Sequence, residues 1–212
     1  MSVATPTASE TSETRRIAGW VSYENFLQWP GEDAHVEWVN GKVISMRPVS
    51  WEHSDVGAFL HSLIRHYVEA RDLGAVVSDP FQMKTGPDLP GRAPDVLFVA
   101  KANLKRMRPL FLEGPGDLVV EIVSPGSRAV DRGEKFFEYE QGGVPEYWLI
   151  DPQRRQAEFY QRGEDGIYRP VAMDSQGRYS SRALPGLWLQ VDWLWQRPLP
   201  PLMRVLKEWR LI

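Results

Sequence analysis

The chain has no cysteine. Disulfide frameworks and thiolate metal sites are therefore excluded, and a reducing compartment, the cytoplasm, is the expected location. No apolar run approaches the roughly 20 residues of a membrane-spanning helix. The N-terminus lacks the basic-then-apolar pattern of a secretory signal. An excess of positive charge is missing too: 25 Lys and Arg stand against 28 Asp and Glu, a net charge of −3. That excludes a generally basic nucleic-acid coat, so any phosphate-binding surface has to be local. Histidine is scarce. His53, His61 and His66 fall in one helical stretch without i, i+4 spacing, which argues against a zinc pair on one face. There is no internal repeat.

What is present suits one sizeable core. The chain has 212 residues, of which 42% are hydrophobic and 25% charged. Residues 1–16 are rich in Ser, Thr and Glu and read as a disordered tail, leaving 17–212 as a single domain. Ser22 reads as the cap of a short helix that Pro30-Gly31 stops. Val36 to Ile44, with Asn40-Gly41 at its centre, is a hairpin signal. Ser50 caps a long helix carrying Phe59, Leu60, Leu63, Ile64 and Tyr67, expected to stop at Leu73-Gly74. Strands are expected at 75–78, 81–84, 95–99, 118–123 and 144–151. A helix is expected over 129–141, antiparallel strands over 155–162, 167–173 and 186–191, and a closing helix over 202–209. This alternation gives an α/β (α+β) fold with a mixed central sheet flanked by helices.

Two of those strands carry the chemistry. Pro94-Asp95 heads the run Val96-Leu97-Phe98-Val99, and Glu121 sits inside Leu118-Val119-Val120-Glu121-Ile122-Val123. Carboxylates in buried strands are expensive without a partner. Two of them on neighbouring strands repel unless a positive body lies between, and a divalent cation with oxygen ligands, Mg²⁺ or Mn²⁺, fits. The Ile122 carbonyl is a candidate further ligand. Lys135, on the helix after the Glu121 strand, is the candidate to steady a water or developing charge. The plain alternative for Lys135 is an exposed i, i+4 pair with Asp131, worth about 0.3–0.5 kcal/mol. Glu37 is either a solvent-facing strand residue, with Lys42 across the turn as its partner, or a third acid. His53, at a helix start, is a candidate phosphate contact. The basic run Lys101 to Arg108 lies between the acidic strands in sequence, so it reads as a solvated face or a contact to a phosphate backbone.

Pro94-Asp95 followed by Glu121-Ile122-Val123 resembles the acidic signature of the PD-(D/E)XK nucleases, whose fold is that of restriction endonucleases. Val120 to Pro125, then Asp131, Lys135 and Tyr139, then Gly143 to Trp148 and Asp151-Pro152, resemble more narrowly the Uma-type family of putative restriction endonucleases. The hairpin Glu37 to Val43 and His53 match it as well. The resemblance implies a restriction-endonuclease-like core and a divalent-metal-dependent phosphodiesterase acting on DNA. Carried over, Asp95 and Glu121 are metal ligands and Glu37 an auxiliary acid. The lysine expected two residues after the Glu is Val123 here, and the resemblance implies that Lys135 supplies it.

Three functions are consistent with these residues. The first is Mg²⁺-assisted hydrolysis of DNA by Glu37, Asp95, Glu121 and Lys135. The second is a non-catalytic module that keeps a nuclease fold for binding DNA or protein. The third is hydrolysis of a small phosphoester. Trp188, Trp193 and Trp195 exceed the needs of a peripheral sheet and suggest a homodimer.

Overall fold

A computed structural model describes residues 19–28, 35–46 and 48–212. The expected tail and the Pro30-Gly31 stop lie outside the described residues. Helix α1 (Tyr23–Leu27) starts where the Ser22 hydroxyl accepts from the Asn25 amide at 3.2 Å. Strands β1 (Val36–Val39) and β2 (Lys42–Ser45) form the hairpin, and Asn40 and Gly41 take the positive φ values, 50° and 78°, that a primed turn requires.

Helix α2 (Trp51–Ala70) is capped by Ser50 as expected. Its end differs from the expectation. Asp72 supplies the left-handed residue (φ 52°), and Gly74 instead opens β3 (Gly74–Val77). A Cβ on Gly74 would lie 2.1 Å from the Val99 carbonyl oxygen, so this glycine serves strand contact and not the helix stop.

The remaining elements are β4 (Gln82–Lys84), β5 (Gly91–Arg92), β6 (Val96–Ala100), β7 (Phe111–Glu113), β8 (Leu118–Ile122), α3 (Lys135–Gly142), β9 (Glu146–Asp151), β10 (Gln156–Arg162), β11 (Tyr168–Pro170), β12 (Arg178–Ser180), β13 (Trp188–Gln190) and α4 (Leu202–Glu208). The main sheet has the order β11-β10-β9-β8-β6-β3 and is mixed, with β8 and β9 parallel and the other neighbours antiparallel. A second sheet, β2-β1-β5-β4-β7, and a ribbon, β12-β13, complete the β structure among the described residues. The sequence pointed to one central sheet. The second forms because the hairpin recruits the two-residue β5, for which no strand was expected.

Strand alternation explains why the central runs are apolar throughout: both faces are covered. Val96, Phe98, Val120, Ile122, Trp148 and Ile150 pack on α2, α4 and the ribbon. Leu97, Val99, Val119, Tyr147 and Leu149 pack on Tyr139 of α3 and on Met83 and Leu112 of the second sheet. Glu121 shares the parity of Val119 and Val123, so its carboxylate enters this second face. Trp193 is buried, and Trp188 and Trp195 pack partly buried against the α2-side core. The tryptophans that suggested self-association thus contribute, wholly or in part, to this core.

Candidate active site

The antiparallel register sets the two signature acids side by side. Val96 lies opposite Val120. Asp95 stands one residue before that strand, and its carboxylate is near enough to Glu121 to disfavour charge there. The Ile122 amide donates to Asp95 Oδ2 at 2.6 Å, which fixes that carboxylate at the end of β8.

Glu121 is buried, and both its oxygens are engaged. Lys135 Nζ lies 2.9 Å from Oε2, and the Tyr139 hydroxyl donates to Oε1 at 2.6 Å. Lys135 is 3% exposed, so the amine expected two residues after Glu121 does arrive, but from across the face. Its Nζ also lies 3.4 Å from Asp131 Oδ1 and 3.5 Å from Glu37 Oε1. A π-helical turn, Val130–Glu134, leads into α3 and turns Asp131 and Lys135 inward together. The reading of that pair as an exposed i, i+4 contact is corrected here. So is the solvent-facing reading of Glu37. It is 2% exposed, bonded by Arg92 Nη1 at 2.9 Å and by the Ala93 amide at 3.2 Å, and Lys42 is no partner of it. Arg92 in turn clasps Glu138 through two bonds of 2.8 Å.

Charge in this cluster is unbalanced. Glu37, Glu121 and Asp131 face one ammonium, with Asp95 beside Glu121, while Arg92 is shared among Glu37, Glu138 and Glu134. Burial, with Asp95, Asp131 and Glu37 adding to it against Lys135, pushes Glu121 up to about 8. Burial likewise raises Asp131. Burial also opposes charge on Glu37, but Lys135 and Arg92 overcome it and hold that carboxyl below its usual range. For Lys135, burial is outweighed by Glu121, Glu37 and Asp131, and the ammonium is held well above its ordinary value.

His53 Nε2 stands 3.5 Å from Asp95 Oδ2. Burial would lower this imidazole, and Asp95 reverses the direction. Next to it, the Asp79 amide donates to the Pro94 carbonyl at 2.9 Å, and the Asp79 carboxylate pairs with His35 at 2.6 Å.

A family model, Uma2, described as "Putative restriction endonuclease", matches residues 23–192. The chain belongs to the Uma2 family. An uncharacterized Synechocystis sp. protein, slr1290, is 26% identical over 174 residues, covering 81% of this chain and 90% of that one. A crystal structure of a putative nuclease belonging to DUF820 from Anabaena variabilis superposes with a TM-score of 0.67 at 18% identity, covering 81% of this chain and 96% of the other. The mixed α/β architecture of this Uma2 chain is thus the fold of that structure.

Glu37, Asp95, Glu121 and Lys135 converge, and Ile122 and His53 adjoin Asp95. The basic run does not converge. Residues Lys101–Arg106 form a 3₁₀ turn directly after β6, whereas Asp95 precedes it. At about 3.3 Å per residue, five strand residues separate the two ends by roughly 17 Å. Lys101 pairs with Asp72, and Arg108 with Glu113. Because β8 and β9 are parallel, the basic groups at the acidic end come from elsewhere. They are Arg128, bonded to Asp151, and exposed Arg154 and Arg155 in the turn after β9. Arg92 and the inward place of Asp131 were missed. Arg92 gave no signal of its own, being one arginine just ahead of the Pro94-Asp95 strand. Asp131 was visible through its spacing to Lys135.

Among the described residues, no group of three or more His, Asp or Glu side chains is placed so that it could hold a metal ion. The donor set nonetheless fits an oxygen-preferring dication: carboxylates outnumber the cations beside them, and buried Asp131 Oδ1 has no hydrogen-bond partner.

Proposed function

We propose that this chain hydrolyses phosphodiester bonds of DNA with Mg²⁺ or Mn²⁺ as cofactor. The observation that carries this reading is Asp95, held by the Ile122 amide at 2.6 Å beside Glu121, with Lys135 Nζ 2.9 Å from Glu121 Oε2. Asp95, Glu121 and the Ile122 carbonyl would hold the cation. It would supply polarisation of a phosphoryl oxygen and a water more easily deprotonated. Lys135 orients that water or offsets charge developing on the phosphorus oxygens. Glu37 keeps Lys135 in place and, through Arg92, ties the centre to the second sheet. His53, favoured as imidazolium by Asp95, attracts a phosphate oxygen. Arg128, Arg154 and Arg155 give the polyanion its contact at this end of the sheet.

The test is nicking of supercoiled plasmid in Mg²⁺, Mn²⁺ or EDTA. Asp95→Asn and Glu121→Gln are each expected to abolish metal-dependent nicking with circular dichroism unchanged. Undiminished cleavage by the purified double variant refutes the proposal. One observation favours a second reading, a nuclease fold kept for binding: Lys135 and Tyr139 already occupy both oxygens of Glu121. Calorimetric titration with Mn²⁺ separates the two, since a binding module takes up no metal.

A further inference from the structure

Hydrolysis of a phosphodiester frees a sugar oxygen that has to take up a proton, and the buried groups are poorly suited to give one. Burial opposes charge on Lys135, but Glu121, Glu37 and Asp131 outweigh it, so the ammonium keeps its protons. The Tyr139 hydroxyl is spent on Glu121, and burial and that carboxylate push it well up. Glu37 is held ionised and accepts from Arg92 and the Ala93 amide. All three residues are buried. His53 stands against Asp95 at 3.5 Å and already has the phosphate contact.

A second His–Asp pair lies beside this centre, and none of the roles above uses it. His35 Nε2 stands 2.6 Å from Asp79 Oδ2, and the two side chains are 43% and 34% exposed. The backbone ties Asp79 to the centre: its amide donates at 2.9 Å to the carbonyl of Pro94, the residue before Asp95. The charges are within reach of each other as well. Burial and then Asp95 raise the Asp79 carboxyl, while His35 and His53 oppose them. A carboxylate on one imidazole nitrogen fixes the tautomer and steadies the imidazolium, leaving the other nitrogen for proton transfer. Here Asp79 engages Nε2, so Nδ1 is the nitrogen left to work. The exposure of the pair gives it both a substrate-facing side and a route to protons from solvent.

We propose that His35, oriented by Asp79, is the general acid that protonates the leaving sugar oxygen. This rests on the hydrolytic reading above. The oxygen of water bonds to phosphorus, and the bond from phosphorus to the sugar oxygen breaks. The Nδ1 proton of the imidazolium passes to that oxygen, which leaves as an alcohol. The proton lost by the water goes to solvent, and the neutral ring regains one from solvent. His35 is then a catalytic residue and Asp79 a positioning residue.

The test uses the full chain and oligonucleotides in which one link carries sulphur in place of the leaving oxygen. A thiolate leaves without being protonated, so that link does not need the acid. His35→Gln is expected to slow cleavage of the normal link about 10²–10⁴-fold and to leave the sulphur link within about threefold. Asp79→Asn is expected to show the same selectivity with a smaller loss. A partly exposed pair contributes little to stability, so both variants are expected to keep the wild-type circular dichroism. A second readout needs neither metal nor cleavage. In EDTA at alkaline pH, ¹⁵N NMR is expected to find the His35 ring proton on Nε2 in the wild type and divided between the nitrogens in Asp79→Asn. A proton on Nδ1 in the wild type overturns the inference alone. So does His35→Gln slowing both links equally, or neither. Cleavage of neither link by the wild type overturns the hydrolytic reading and this inference with it.

Discussion

Replacing Lys135 by Met keeps the aliphatic stem and removes the ammonium. In the structure that ammonium lies 2.9, 3.4 and 3.5 Å from carboxylates of Glu121, Asp131 and Glu37, at 3% exposure. Removing one member of a buried pair costs about 3–5 kcal/mol, because the partner stays buried and uncompensated. An exposed i, i+4 pair costs only about 0.3–0.5 kcal/mol. At about 2–4 °C per kcal/mol for a chain of this size, the buried arrangement predicts a fall in melting temperature of roughly 6–20 °C, and the exposed one at most about 2 °C. The measurement is a melt followed by circular dichroism near pH 8, where Glu121 starts to carry charge. Near pH 5 the loss should shrink, because burial raises Glu121 and Asp131 and both take protons more readily than free carboxyls. A melt within about 2 °C of the wild type near pH 8 refutes the caged ammonium, and the catalytic role proposed for it goes too.

Glu121 has a folded-state value of about 8, raised from 4.5. The folded chain therefore binds more protons than the unfolded chain across that window. Its contribution is fully present below about pH 4.5 and is lost as the pH climbs through 8, so Glu121→Gln should flatten the fall in stability over that range in urea titrations. Gly74→Ala should destabilise by at least about 1–3 kcal/mol, from backbone at φ 150° and a Cβ 2.1 Å from the Val99 oxygen; an unchanged denaturation midpoint counts against that contact. For DNA binding, alanine at Arg154 and Arg155 should weaken affinity and reduce the salt slope by about one per lost phosphate contact. The triple change of Lys101, Lys105 and Arg108 to alanine should leave both nearly as they were, and a reversed ranking places the nucleic acid at the other end of the sheet.

Local signals were legible wherever one residue decided a local event. Ser22 and Ser50 cap their helices, and Asn40-Gly41 turns the hairpin, because each depends on bonds or dihedrals within a few residues. The paired acids were legible for a related reason: a charge inside an apolar strand stands out against its neighbours. What failed was inference across space from closeness in sequence. The basic run lies between the acidic strands along the chain, but β6 has to be traversed to reach it, and the register of β6 with β8 places it at the far end. Gly74 failed because glycine answers two needs, a left-handed stop and a close backbone approach, and only the pairing of β3 with β6 tells them apart. Glu37 and Arg92 form a contact between β1 and β5, and no periodicity announces a two-residue strand.

The displaced lysine has a physical rationale. At the position where the signature expects it stands Val123, 3% exposed and packed with Val119, Leu149 and Tyr139. A lysine there would share the face of Glu121, but its stem would have to lie along the sheet in a space that the apolar side chains fill. An amine delivered from α3 approaches Glu121 from the opposing layer instead, with Tyr139 on the same helix and Asp131 on the π turn before it. It also ties the centre to the second sheet, since Glu138, on the same helix, is clasped by Arg92, and Arg92 holds Glu37. The position of the amine over the acids then depends on how α3 is seated between the two sheets. Loosening that seat at Arg92, far from β8 in sequence, should move Lys135 relative to Glu121, whereas a lysine on the strand itself would have been insulated from it.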